Sequence, residues 1–414
     1  MNLAIPLLLL ISAYTAWRYS TTNADPDWAM FNLAAFTGSW YGRDWCDCKT
    51  PIIHLWYYAL AKIVGAEVPR VKFANHFLIG SAGAIYYAIT GDLPGAVAYT
   101  VLVNSPFLWA FHGNVSQLPA AFFLIALAVD NPWIACSMAV LAVLTDPKFL
   151  PSLIPMIAIY NWWAPAMAWA GFGVVLAAYL YFIQRHIFGW LWEASVVIPW
   201  RMAKTRNGLY KWMPWWTPPA LLYILPWTAL AIAGKPEWIY WAPAAIHLVV
   251  IAMGQVIRGN HLIPFSAWIA NAGMPPTYTY ILALIDFVAN GFLLGNIWDR
   301  HYTGFAQQIE SSRKIGEWLK DKPGRMWVNG MHTEVYIYAR KPVPYKLAEQ
   351  IEIRETNTER RKEMIEIWKK NPPDYVAQTP HPAINFNGNG YEAVAAATFC
   401  QVYRRKVKDG DNPD

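Results

Sequence analysis

The sequence predicts a mainly α-helical chain, with a polytopic transmembrane helical domain of about 11 spans over residues 1–298 and a small C-terminal α/β soluble domain over residues 299–414. Three observations predict it. Hydrophobic residues make up 56% of the 414 and charged ones only 14%, where soluble globular chains carry about 25% charged. The charge is also unevenly placed, with 14 Lys/Arg and 11 Asp/Glu in residues 1–298 against 19 and 16 in residues 299–414. The first part is thus about 8% charged and the second about 30%, an ordinary value for a domain in water. Finally, many of the 24 Trp and 23 Tyr sit at the ends of apolar runs, where a membrane interface favours them. The expectation is an integral, multi-pass membrane protein.

Residues 1–17 are apolar and end in Tyr14 and Trp17, with Arg18 just beyond. No basic stretch precedes them and no small-x-small cleavage site follows, so they read as a retained first helix. Residues 18–72 form a polar loop in which 52–64 has the pattern of an amphipathic interfacial helix. Apolar runs then cover 73–90, 94–111, 117–130, 132–145, 149–161 and 165–183. A Trp- and Arg-rich connection over 184–216 separates these from runs near 217–234, 238–257, 262–273 and 277–297. In the tail, a helix is expected over 305–320 and strands over Arg325–Val328 and Thr333–Tyr338. A helix over 358–370 follows, stopped by Asn371-Pro372-Pro373, then strands over 375–377 and 394–405.

Cysteine usage indicates no disulfide framework. Cys136 lies in an apolar run, and Cys46-x-Cys48 lacks the second pair or His cluster that a zinc site needs. Basic residues in the tail alternate with acidic ones, as in Glu359-Arg360-Arg361-Lys362-Glu363, which is a solvated face; no nucleic-acid module is present.

With eleven crossings, one side collects the polar loops. These are 18–72, Phe111-His112-Gly113-Asn114, Thr145-Asp146-Pro147-Lys148, 184–216, Arg258-Gly259-Asn260-His261 and the whole tail. Asp286, and more weakly His247, are the ionisable groups inside runs, where a transporter would need more of them. Within the collected set, Asp25-Pro26-Asp27 can supply a general base, or a base beside a ligand for a divalent metal. An Asp ahead of Trp28-Ala29-Met30-Phe31 can equally cap a helix. Lys49 stands at the start of the interfacial helix, where it can hold a phosphate or merely reach for the interface. Arg185, Arg201, Lys204, Arg206 and Lys211 can attract an anionic lipid headgroup. Arg258 and His261 share a helix face if the helix extends there. Acids and cations gathered in this way suit a phosphate-bearing lipid.

These residues carry a resemblance. The chain resembles the GT-C-fold polytopic glycosyltransferases, and within them the dolichyl-phosphate-mannose protein mannosyltransferase and aminoarabinose transferase family. That family's first loop reads Asp-Glu-x-x-Tyr, then Gly-x-Trp, then Lys-Pro-Pro. Here Asp27 and Phe31 stand at the Asp and the Tyr, followed by Gly38-Ser39-Trp40 and by Lys49-Thr50-Pro51 with Trp56. Trp28 replaces the Glu, whose role falls to Asp25, and Thr50 replaces one Pro. His112-Gly113-Asn114, Thr145-Asp146-Pro147-Lys148 and Arg258-Gly259-Asn260-His261 resemble later loops of the family.

The resemblance implies sugar transfer from a polyprenyl-phosphate donor to a protein, lipid or glycan acceptor. Asp27 and Asp25 are then the catalytic residues, and Lys49, Arg258, His261, His112 and Arg201 bind substrate. No cofactor is required, although a divalent metal is compatible with the paired acids. The positive-inside rule places the basic side in the cytoplasm. The resemblance places it in the periplasm, outside or in a lumen, and that placement is adopted. The rival class is a transporter or flippase of a lipid-linked sugar, which shares the cations but has no need of Asp27 as a base.

Overall fold

The structure is a computed structural model that describes residues 3–24, 26–40, 51–108, 116–184, 217–234, 237–253, 262–292, 303–345, 358–380, 382 and 384–406. The chain divides into two compact units. The first comprises Met1–Thr22, Lys49–Phe182 and Thr205–Trp298; the second comprises Asn23–Cys48, Ile183–Lys204 and Asp299–Asp414.

The first unit is helical in its described residues. It contains α1 (Ala4–Ser20), α3 (Pro51–Val64), α4 (Val68–Thr90), α5 (Leu93–Val103), α6 (Gln117–Ala128), α7 (Pro132–Thr145), α8 (Leu153–Tyr160) and α9 (Trp163–Gln184), then α10 (Thr217–Ala233), α11 (Trp238–Met253), α12 (Phe265–Ala270) and α13 (Pro276–Phe292). Local chemistry sets the joints. Gly91 takes the left-handed conformation that ends α4, at φ 74°. Asp92 then caps α5 by accepting the Gly95 N–H at 3.0 Å. Asn131 caps α7 through the N–H groups of Trp133 and Ile134.

Two expectations are corrected here: the eleven-span transmembrane domain and the integral, multi-pass placement with the sidedness drawn from it. Among the described residues no helix is long and apolar enough to cross a membrane. A crossing takes ~20 consecutive apolar residues, and several of the runs break before that. In the run 94–111 the described residues form the 11-residue α5 and a 3₁₀ turn at Pro106–Leu108. The run 149–161 divides between a 3₁₀ helix at Pro147–Ser152 and the 8-residue α8, and 262–273 yields the six-residue α12. The 23-residue α4 has the length but carries Arg70, Lys72, Asn75 and His76. An all-apolar helix can be a core element as readily as a span, and length decides between them. Much of the apolar content here is core, with Tyr99, Phe123, Phe149 and Trp227 fully buried.

The second unit contains α2 (Pro26–Thr37), α14 (Thr303–Lys320), β1 (Met326–Asn329), α15 (Glu334–Ala339), α16 (Thr358–Lys370), β2 (Tyr375–Gln378), β3 (Tyr391–Ala397) and β4 (Cys400–Arg405). The sheet order is β1-β2-β4-β3. β1 and β2 pair in parallel, Met326 opposite Tyr375, with α15 and α16 in the connection between them. β2 and β4 pair antiparallel, Val376 opposite Tyr403, and β3 and β4 close a hairpin with an irregularity between Ala393 and Ala395. The strand expected over Thr333–Tyr338 is instead helix α15, and the single strand expected over 394–405 is a hairpin turning at Thr398-Phe399. Trp327 is fully buried and packs its ring 5.0 Å from that of Trp368 and 6.1 Å from that of Tyr345.

Candidate functional site

Asp27 is the second residue of α2. Pro26, with its φ preset for a helix and no N–H to satisfy, starts the element. Asp27 therefore lies inside the first turn rather than at the capping position. The rest of α2 is apolar and buried: Trp28, Ala29, Met30, Phe31 and Leu33 are at most 2% exposed. The helix packs against α15. The backbone N–H of Ala24 donates to Tyr338 Oη at 2.9 Å, and Asn23 Nδ2 donates to Glu310 Oε2 at 3.0 Å. At the far end the Val343 N–H donates to Ser39 Oγ at 3.2 Å, and the Arg340 guanidinium lies 4.6 Å from the centre of the Phe36 ring.

Asp25, Lys49, His112, Arg201, Arg258 and His261 lie outside the described residues. Asp27 is thus the predicted site residue that the structure places, and it does so by its backbone.

The second unit holds a further polar group that sequence reasoning missed. His332 and Glu334 are fully buried and meet at 2.6 Å between Nδ1 and Oε1. The other ring nitrogen of His332 stands 3.1 Å from Gln308 Oε1 of α14. The triad lies just past the carboxyl end of β1 and leads into α15, so it ties strand, helix and connection together. Cys400, at the start of β4, has its thiol pushed up to about 12, first by burial and then by the charge of Glu334.

The helical unit builds its polar chemistry on the inner face of α4. Lys72, Asn75 and His76 recur at the i, i+3, i+4 spacing of one face and are all buried. Lys72 Nζ donates to Thr22 Oγ1 at 2.7 Å, and Trp56 Nε1 donates to Asn75 Oδ1 at 2.8 Å. Gln117 Nε2 donates to Asn104 Oδ1 at 3.1 Å and to the Val103 carbonyl at 3.0 Å, while His76 Nδ1 lies 3.3 Å from Asn104 Oδ1. The Tyr19 ring lies tilted against that of His76, centres 4.7 Å apart, and its hydroxyl donates to the Asn104 carbonyl at 2.6 Å. Burial, together with the charge of Asp286, raises the Tyr19 phenol well above its ordinary range. Charged and amide residues spaced on one face of an otherwise apolar stretch were the available signal.

The sequence motif Thr145-Asp146-Pro147-Lys148 is a second polar station. Asp146 is buried, accepts from Ser116 Oγ at 2.8 Å and from the Lys148 N–H at 3.2 Å, and has the Lys148 ammonium at 3.9 Å. Nearby, His247 packs between Phe149 and Phe265. Its imidazole is pushed down to about 4, first by burial, against the raising influence of Asp146. The station therefore presents a partly exposed ammonium beside a carboxylate and a neutral ring.

Among the described residues no three His, Cys, Asp or Glu side chains converge to hold a metal ion. No family model matches the chain, and no curated protein or solved structure matches it either.

Proposed function

We propose that this chain is a glycosyltransferase that moves a sugar from a polyprenyl-phosphate-linked donor to an acceptor hydroxyl. The observation that carries this reading is the seating of Asp27. It stands in the first turn of α2, and upstream of that helix Asn23 and Ala24 are hydrogen-bonded to two other helices. A catalytic acid or base needs a well-packed element to carry it, and the body of α2 from Trp28 to Leu33 is buried. Asp27, as a carboxylate, takes the proton of the acceptor hydroxyl. The acceptor oxygen forms its bond to the anomeric carbon as the bond from that carbon to the phosphate oxygen breaks. The electron pair leaves with the polyprenyl phosphate, and configuration inverts.

Negative charge grows on the departing phosphate, so cations placed there lower the barrier. Lys49 and Arg258, with His261, are assigned that role, and His112 and Arg201 are assigned to substrate binding. A lipid phosphate whose charge is held leaves without further activation by a metal. The acceptor is a protein, lipid or glycan hydroxyl.

The test is incubation of the purified chain with a panel of short-chain polyprenyl-phosphate sugars and hydroxyl acceptors, with products identified by mass. Equimolar glycosylated acceptor and free polyprenyl phosphate support the reading. Donor binding with no transfer to any acceptor class contradicts it.

A further inference from the structure

The two residues ahead of the Asp25-Pro26-Asp27 step are fastened with more care than burial of α2 requires. Trp28, Ala29, Met30, Phe31 and Leu33 already bury the helix body in the core. Upstream of them, Asn23 and Ala24 bond to side chains from two different helices, Glu310 of α14 and Tyr338 of α15. Neither partner swings freely. Arg313 grips both oxygens of Glu310, Nη2 to Oε1 at 2.7 Å and Nε to Oε2 at 2.8 Å, and reaches Glu317 Oε1 at 2.7 Å with its remaining arm. Planar two-point contacts of this kind fix orientation as well as distance. Tyr338 is held because α14 and α15 approach without a side chain between them. A Cβ on Gly316 would stand 2.6 Å from Tyr338 Cβ and 2.9 Å from the Val335 carbonyl. The residues leading into α2 are therefore anchored to α14 and α15, 287 and 314 residues away in the chain.

We infer that Tyr338, and with it the Asn23–Glu310 contact, are positioning residues that set where Asp27 stands relative to the acceptor hydroxyl. The inference rests on the reading of Asp27 as the general base. Tyr338 touches neither donor nor acceptor and acts only through the Ala24 N–H. Replacing it by Phe removes the acceptor of that bond and leaves the ring. A misplacement of about 1 Å can cost up to ~100-fold in rate, so losing one of two tethers is expected to lower kcat by about 10-fold. The KM for donor should not change, because the donor phosphate is bound by other residues.

The experiment compares the full chain with Tyr338→Phe, Asn23→Ala, Asp27→Asn and the double variant Asp27→Asn/Tyr338→Phe, measuring kcat and donor KM for sugar transfer. Asn23 is exposed, so Asn23→Ala serves where Tyr338→Phe fails to fold. The expected result is a kcat about 10-fold lower at unchanged KM, with no further loss when Tyr338→Phe is added to Asp27→Asn. Wild-type kcat in both tether variants, with Asp27→Asn inactive, overturns the positioning role and leaves the base reading standing. Equal losses from Tyr338→Phe in both backgrounds overturn it too, since they report a merely structural residue. Wild-type turnover in Asp27→Asn overturns the base reading itself, and the inference with it.

Discussion

His247 shows at the scale of one residue what burial does in this chain. Its ring is 1% exposed between two phenylalanines, and its imidazole is pushed down to about 4. An unfolded chain takes up that proton near pH 6.5. Between pH 6.5 and about 4 the unfolded state therefore binds a proton that the folded state refuses. Stability is complete above this window and falls as pH drops through it, by about 3 kcal/mol in full. Melting temperature is expected to decline between pH 7 and pH 5, and His247→Leu should flatten that decline. Cys400 makes the opposite case. Its thiol, pushed up to about 12, stays protonated at pH 8, and only the thiolate reacts. In the folded chain Cys400 should resist alkylation at pH 8 and become reactive on denaturation. Rapid labelling of the native protein at Cys400 would contradict the burial described. Sequence pattern singled out His247 only as an ionisable group in an apolar run. Its neutrality comes from Phe149 and Phe265, which lie on other elements.

At the scale of elements, α15 is the instructive case. Thr333-Glu334-Val335-Tyr336-Ile337-Tyr338 alternates and is rich in β-branched and aromatic residues, so its local pattern is that of a strand. Packing overrides that preference. As a helix, the segment buries Val335, Tyr336, Ile337 and Ala339 and presents Tyr338 to Ala24. The Tyr336 hydroxyl accepts the Val328 N–H at 2.9 Å, which locks the helix to β1. Where local and tertiary signals agree, the pattern was legible: Thr358–Lys370 forms as expected and ends at Asn371-Pro372-Pro373. Gly316 is a point of close approach between α14 and α15. Gly316→Ala is expected to destabilise the protein by about 1–3 kcal/mol through overpacking, read as a lower denaturation midpoint. An unchanged midpoint would mean that the two helices part at no cost.

For the whole molecule, scarcity of charge before Asp299 is a fact of the sequence, and its reading as eleven crossings is not upheld by the described helices. Composition reports how much apolar surface a chain has. It does not report whether helices of 6, 8 or 11 residues divide that surface among themselves. The joints at Pro106 and Pro151 were visible as residues, but the apolar runs 94–111 and 149–161 were read across them. Nor does any periodicity reveal that Asn23–Cys48 belongs to the same unit as the C-terminal residues, since that pairing is made by contacts across almost the whole chain. The candidate site divides in the same way. Asp27 is a candidate drawn from local residues, whereas the bonds of Asn23 and Ala24 to Glu310 and Tyr338 were not legible, because nothing near either partner in sequence points to α2. The central claim is that Asp27 performs base chemistry from this clamped position. The measurement that tests it most directly is release of polyprenyl phosphate from a short-chain donor in a single turnover, by wild type and by Asp27→Asn. The account predicts stoichiometric release by wild type and a rate at least ~100-fold lower for Asp27→Asn at equal donor binding. Equal rates in the two proteins would contradict it.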